Sequence, residues 1–304
     1  MQEMREKAPR RHTVGQWILA VRPWSFPASA MPVVVTLAYV FWKGYEISWT
    51  NGVWALLNIV IFHAVGNTWS DYFDFKAGVD ADDTYGSKVI AGGTFQPREI
   101  FRYALALLAV AVVAGLGLWW RTGNTVLYIG LAGCLAALLY PPLKYRALGD
   151  LVIFVTYAFL PTIGTSFVAA GFIDWSVMWI AVPVGLITVA ILHANNTRDI
   201  RTDGRAEILT LAMALGARLS VRIYCAEVLV PFVWMVLCVA FGVFPWWSLI
   251  ILLALAPALK NVRVANSYFR GGASEIAQLD VLTATLQIQF SVLFALSFVL
   301  AGLI

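Results

Sequence analysis

The sequence predicts an all-α membrane protein of nine transmembrane helices, and three observations carry that prediction. Hydrophobic residues make up 61% of the chain and charged residues 12%, with a mean hydropathy of +0.78, whereas a soluble domain carries about a quarter charged residues. Apolar runs recur at about 20 residues, the length that spans a hydrocarbon core of about 30 Å as a helix, and the roughly ten-residue alternation of a transmembrane barrel is missing. Lysine and arginine fall almost wholly into alternate connections, the asymmetry that orients helical membrane proteins.

The spans fall at 24–42, 51–70, 100–120, 124–141, 150–170, 175–195, 219–242, 246–264 and 282–303, and the charges justify them in order. Arg5, Lys7, Arg10, Arg11 and Arg22 precede or open the first span, and Lys43 follows it. Lys76, Lys88, Arg98 and Arg102 separate the second from the third, which Arg121 follows. Lys144 and Arg146 lie between the fourth and fifth. Arg198, Arg201, Arg205, Arg218 and Arg222 lie between the sixth and seventh, and Lys260, Arg263 and Arg270 between the eighth and ninth. Nine spans put all but Lys43 and Arg121 on one side, so the N-terminus and these loops are expected in the cytoplasm and the C-terminus outside. The polar stretch MQEMREKAPRRHTVG reads as a cytoplasmic tail over residues 1–20, since no apolar core and small-residue cleavage site follow its charges. Residues 1–304 read as a single transmembrane domain, without low-complexity segments. The net charge of +4 is a topology signal and implies no nucleic acid. Cys134, Cys225 and Cys238 stand alone in apolar spans, without metal spacing.

The acidic residues are concentrated. Seven of the ten aspartates lie in two expected cytoplasmic loops: Asp71, Asp74, Asp80, Asp82 and Asp83 after Asn67, and Asp199 and Asp203 after Asn195 and Asn196. On a helix Asn67, Asp71 and Asp74 share one face at i, i+4 and i+7, and Asn195, Asp199 and Asp203 share another at i, i+4 and i+8. Carboxylates so spaced repel, and ionisable groups at a membrane helix end mark function. A hard divalent cation with oxygen ligands supplies the missing positive charge, and Mg²⁺ favours a few carboxylates, waters and substrate phosphates. The two faces therefore read as halves of one Mg²⁺–diphosphate cradle, with Asn67, Asp71, Asp74, Asp80, Asp199 and Asp203 as metal candidates. Asp74 and Asp80 compete for the last place in the first set, and helical phase favours Asp74. Asp82 and Asp83 read equally well as solvated loop charges.

NTWSDYFDFKAGVD resembles the first aspartate motif of the UbiA superfamily of intramembrane prenyltransferases, and NNTRDIRTD its second, in the form typical of the MenA (1,4-dihydroxy-2-naphthoate polyprenyltransferase) branch and that branch's animal relative. RPWSFPASAMPVVV, YPPLKYRALGDLVIFVTYAFLPTIGT and TLAMALG are similar to further segments of that branch, so the resemblance runs from about residue 22 to about 220. It implies the UbiA-type prenyltransferase fold, helices around a central cavity, and a Mg²⁺-dependent transfer of a polyprenyl group from its diphosphate to an aromatic acceptor. The family has a lysine before its TLA segment where this chain has AEILTLA, with Glu207 ahead of the match.

That chemistry assigns roles. Asn67, Asp71, Asp74, Asp199 and Asp203 become catalytic candidates, and Lys88, Lys144, Arg146, Arg198, Arg22, Asn195, Asn196 and Tyr140 diphosphate contacts. Ionisation leaves an allyl cation that an electron-rich ring attacks, with loss of a proton or, for a naphthoate, CO₂; apolar helices keep out the water that would capture it. Tyr72, Tyr140, Tyr145 and Trp69 lie near enough in sequence to offer aromatic faces. His63 and His193, just ahead of the motifs, fit packed hydrogen-bonded residues better than bases. Pro27, Pro32, Pro161 and Pro183 fit kinked helices lining a cavity. The expected acceptor is 1,4-dihydroxy-2-naphthoate in menaquinone biosynthesis. Alternatives are 4-hydroxybenzoate, homogentisate or geranylgeranylglyceryl phosphate, and more distantly a cation-coupled transporter, which usually keeps its charges near the bilayer midplane.

Overall fold

Transmembrane segments must satisfy every backbone polar group internally. In the computed structural model, which describes residues 12–79, 85 and 88–304, the regular elements are all helical apart from one isolated bridge between Arg146 and Leu209. Helix α1 (Val14–Ala20) starts from Thr13, whose side chain forms a reciprocal capping box with Gln16. The chain then turns through Arg22, at φ 53°, and the 3₁₀ turn Pro23–Ser25 into α2 (Pro27–Trp42). The two limbs meet at 56°, because proline at the first position of α2 has no N–H to continue the preceding helix.

Helices α3 (Trp49–Lys76) and α4 (Pro97–Thr122) lie antiparallel. Arg121 donates to Asn51 Oδ1 at 2.8 Å at one end, and at the other Phe101 meets the rings of Trp69 and Tyr72 at 5.7 and 4.7 Å. Then come α5 (Asn124–Leu138), the short α6 (Tyr140–Lys144), and α7 (Gly149–Phe154), which passes through the π-helical turn Val155–Phe159 into α8 (Leu160–Ala170). Helix α9 (Met178–Arg205) and α10 (Leu211–Ala240) follow, the latter broken at Gly216, whose φ of 71° interrupts the helix just after TLAMAL. A 3₁₀ segment, Trp246–Ala254, leads into α11 (Leu255–Gly271), and α12 (Leu279–Leu303) closes the order.

The largest apolar cluster joins α2, α9, α10 and α12, where Ile180, Ile187, Tyr224, Met235, Phe290 and Phe294 are fully buried. Val110 and Val113 on α4, Leu131 and Leu135 on α5, and Val233 on α10 stay exposed, the disposition of lipid-facing residues. Among the described residues, seven helices are long and apolar enough to cross a membrane, and the bent α1–α2 pair makes an eighth. The expected count of nine needs α5 as well. Its 15 residues rise only about 22 Å at 1.5 Å per residue, short of the hydrocarbon thickness, because Pro141 and Pro142 redirect the chain into α6.

Candidate active site

Both acidic faces form where apolar helices run out. The last three turns of α3 carry Asn67, Asp71 and Asp74, and the last three turns of α9 carry Asn195, Asn196, Arg198, Asp199 and Asp203; all eight line one cavity of about 410 Å³. Arg22 from the bend before α2 and Tyr140 and Lys144 from α6 complete its charged end. Apolar residues line it too: Phe62, five residues before Asn67 on α3, and Leu192, three before Asn195 on α9, lie further back along the same two helices, and Ala137, Ile153 and Ala284 join them. An anionic head and an apolar tail thus find opposite environments in one volume.

The aspartates are buried and held by bases. Asp71, 1% exposed, pairs with Arg22, and Asn67 donates from Nδ2 to the Val21 carbonyl at 2.8 Å and to Ser25 Oγ at 2.9 Å. The RPWSFP turn is thereby latched to α3, which accounts for Arg22 adopting a left-handed backbone. Asp74 receives three donors: Lys144 Nζ at 3.0 Å, Tyr145 Oη at 2.8 Å and Ser70 Oγ at 2.9 Å. Burial pulls the Lys144 ammonium down, but Asp74 together with Tyr140 and Asp203 holds it above the ordinary lysine value, so it stays a cation through neutral and mildly alkaline pH. Arg198 forks onto its neighbour Asp199 through Nε and Nη2, both at 2.8 Å, reaches Asp280 at 3.5 Å and covers the Tyr85 ring at 4.8 Å. Its backbone phase differs from that of Asp199, but its length brings the guanidinium back to the same cavity.

The donor set fits a hard divalent cation. Asp71, Asp74, Asp199 and Asp203 offer carboxylate oxygens, and Asn195 Oδ1 is a buried acceptor without a hydrogen-bond partner among the described residues. These are the oxygen ligands that Mg²⁺ takes, with no thiolate among them.

Two expected contacts are not brought to the cavity. Lys88 is exposed, its carbonyl engaged by Gly92 N–H at 2.8 Å in a turn. Arg146 is exposed too, because the chain there pairs with the loop after α9: Ala147 N–H donates to Leu209 O at 2.7 Å and Leu209 N–H to Tyr145 O at 3.1 Å. Asp80, Asp82 and Asp83 lie outside the described residues. Tyr157 and Asp280, not singled out in the sequence, line the cavity. Tyr157 sits in the π-helical turn of α7–α8 and stacks on His63 with ring centroids 4.5 Å apart, while His63 bonds Ser29 at 2.9 Å and Ser25 at 3.3 Å. A π turn is a known mark of functional positions, but without regular periodicity it leaves no sequence signal. Glu207 is exposed, at φ 55°, and away from the cavity; Glu207→Ala is expected to leave the rate within about twofold, as for surface substitutions generally. Initial rates of product formation check this, and a large loss would bring that loop into the site.

A profile of the UbiA prenyltransferase family matches residues 29–272, both acidic faces included. The chain belongs to the UbiA prenyltransferase family. Its relatives in that family include UbiA prenyltransferase domain-containing protein 1 of Gallus gallus, 31% identical over 231 residues, which are 73% of this chain and 68% of that protein. The Xenopus tropicalis protein of the same name is 31% identical over 71% of this chain and 64% of its own length, and the Drosophila melanogaster homologue 34% identical over 71% and 62%. The chain thus spans about two thirds of the length of these relatives. Among solved structures, a UbiA homologue from Aeropyrum pernix K1 superposes with a TM-score of 0.65 over 91% of this chain and 96% of its own, at 13% identity. One from Archaeoglobus fulgidus bound to GPP and Mg²⁺ does so with 0.62 over 93% and 99%, at 14% identity. These likenesses establish the fold.

Proposed function

We propose that the protein is a Mg²⁺-dependent intramembrane prenyltransferase that moves a polyprenyl group from its diphosphate to an aromatic acceptor. The carrying observation is the convergence of two acidic helix ends and three bases on one cavity whose far end is apolar. The Archaeoglobus fulgidus relative bound to GPP and Mg²⁺ supports the same donor and metal here. When bound, the cation would be held by Asp71, Asp74, Asp199 and Asp203 with asparagine oxygens beside them, and supplies Lewis-acid neutralisation of the diphosphate.

The chain's own residues account for the rest. Lys144, Arg22 and Arg198 place positive charge where negative charge grows on the departing diphosphate, the kind of preorganised stabilisation that dominates such catalysis. The C–O bond of the allylic ester breaks with both electrons going to oxygen, and the acceptor ring's π electrons form the new C–C bond. The ring then loses a proton, or CO₂ from a carboxylated carbon. Tyr140 and Tyr157, half-buried aromatics on the wall, present π faces to the allyl cation, and the apolar walls exclude water.

The acceptor we favour is 1,4-dihydroxy-2-naphthoate, as in menaquinone synthesis, since the NNTRD form of the second motif resembles that branch and its animal relative. The cytoplasmic side is proposed for the cavity's charged end. Lys43 and Arg121 lie at the opposite helix ends, where Arg121 meets Asn51 in the first turn of α3. The testing experiment incubates purified protein with geranylgeranyl diphosphate, Mg²⁺ and either 1,4-dihydroxy-2-naphthoate or 4-hydroxybenzoate. A prenylated, decarboxylated naphthoquinol that disappears with EDTA is the expected product by mass spectrometry. Product from 4-hydroxybenzoate alone moves the acceptor assignment, and product undiminished by EDTA defeats the metal assignment.

A further inference from the structure

Behind the cavity wall lies a second polar cluster, within the protein interior. His193, on α9 one turn before Asn196 and Thr197, is 0% exposed. Its Nδ1 stands 3.1 Å from Asp150 Oδ2 and 3.2 Å from Glu227 Oε1, and its Nε2 stands 2.9 Å from Ser220 Oγ. Ser220 Oγ in turn meets Thr197 Oγ1 at 2.6 Å. Asp150 belongs to the first turn of α7, and Ser220 and Glu227 lie seven apart on one face of α10. One imidazole therefore joins α7, α9 and α10. Two carboxylates and an imidazole in a dry interior are costly to bury, and three apolar residues would join these helices as firmly.

The connection to the cavity runs through Asn196. Its Nδ2 donates to Asp150 Oδ1 at 3.4 Å. A carboxylate only accepts, so the amide must turn its nitrogen to Asp150, which leaves Oδ1 as the amide atom offered to the cavity that Asn196 lines. The other oxygen of Asp150, Oδ2, accepts no hydrogen bond among the described residues, and the group beside it is the His193 ring, whose Nδ1 stands 3.1 Å away and is hydrogen-bonded to Glu227. α7 also carries, one turn on, Val152 and Ile153 of the cavity wall, and it follows α6 with Lys144. The cluster thus links the Lys144–Asp74 half of the site to the second-motif half.

We propose that His193, held between Asp150 and Glu227, is a positioning residue that orients the Asn196 amide and registers α7 against α9, and so sets the affinity for the metal–diphosphate group. This rests on the reading of the cavity as a metal–diphosphate site. Outer partners that orient ligating groups change metal affinity by about 10–100-fold when removed.

The test compares His193→Leu, His193→Asn and Asp150→Asn with the full chain in detergent. Melting temperature in EDTA reports folding, and its rise with Mg²⁺ plus inorganic pyrophosphate, titrated to half-saturation, reports the site without turnover. His193→Leu is expected to raise the half-saturating Mg²⁺–pyrophosphate concentration and the KM for prenyl diphosphate about tenfold, with the acceptor KM within twofold. His193→Asn, which keeps a donor near the Nδ1 position, should restore most of this. Asp150→Asn, which leaves the ring in place but removes one of the two acceptors, should reproduce the loss, and serves if the leucine variant does not fold. A variant that melts lower in EDTA yet saturates at the wild-type concentration would reduce the cluster to a structural role and overturn the proposal. So would equal rises in both KM values. The three groups could also hold a cation themselves: one equivalent of Zn²⁺ or Mn²⁺ retained by Asp71→Ala protein and lost in His193→Leu would replace positioning by a metal centre. If wild-type protein gains no stability from Mg²⁺–pyrophosphate, the cavity reading has failed instead.

Discussion

Asp71→Asn and Asp199→Asn are each expected to reduce turnover by about 10³-fold or more, while the detergent-solubilised protein remains folded. Removal of one preorganised charge-stabilising group costs about 10²–10³ in rate in other enzymes, and these residues stand in two sets that act together, so the loss is not shared out among survivors. Asp71 sits on Arg22, and Asp199 is gripped by both arms of the Arg198 fork. Each substitution therefore removes a cation ligand and also leaves a base to pair directly with the diphosphate in a non-productive pose. Asparagine keeps the shape and offers each guanidinium an acceptor but no countercharge; the cost to the fold is limited because Arg22 is partly exposed to solvent and Arg198 keeps Asp280 at 3.5 Å. Single-turnover rates with saturating Mg²⁺ and a melting curve for each variant are the measurements. Rates near wild type from either variant would remove that residue, and its whole helix face, from the reaction.

The parts legible in the sequence were those with a period or a charge. The helical phases of Asn67–Asp71–Asp74 and Asn195–Asp199–Asp203 can be counted on the chain, and both faces do meet in one cavity. Arg22 and Lys144, marked as bases near the motifs, meet Asp71 and Asp74. Lys88 and Arg146 carry the same charge in the same loops but are turned outward, and nothing in composition separates a cavity base from a topology base. The break at Gly216 and the left-handed Arg22 depend on tertiary contacts, and the span count depends on where Pro141 and Pro142 turn a short helix. Asp150 and Glu227 each look like a stray acid in an apolar run; only folding shows that both belong to His193.

Gly185→Ala is the second substitution with a large expected effect, and the reason is steric. A methyl group at Gly185 on α9 would lie 2.6 Å from Phe154 Cε2 and 2.7 Å from Ala158 Cβ. The phenyl ring of Phe154 can rotate aside, but the Ala158 methyl moves only with its backbone, and that backbone is the π-helical turn Val155–Phe159. Close approach at small residues is how membrane helices pack, where apolar surface gives no preference for protein over lipid. Overpacking of this kind costs about 1–3 kcal/mol, which lowers the melting temperature by roughly 2–10 °C at the sensitivity of chains this size. The displaced turn carries Thr156 and Tyr157 of the cavity wall, so turnover is expected to fall about tenfold even at temperatures where the protein is fully folded, since ångström-scale misplacement of reacting groups is that costly. Gly130→Ala in α5, where a methyl group would meet nothing within 4 Å, is the control and should be neutral or slightly stabilising, since alanine is the better helix former. If Gly185→Ala melts low but turns over normally below its transition, the π turn has yielded without moving Tyr157, and the wall's aromatic face would have to be assigned to Tyr140 alone.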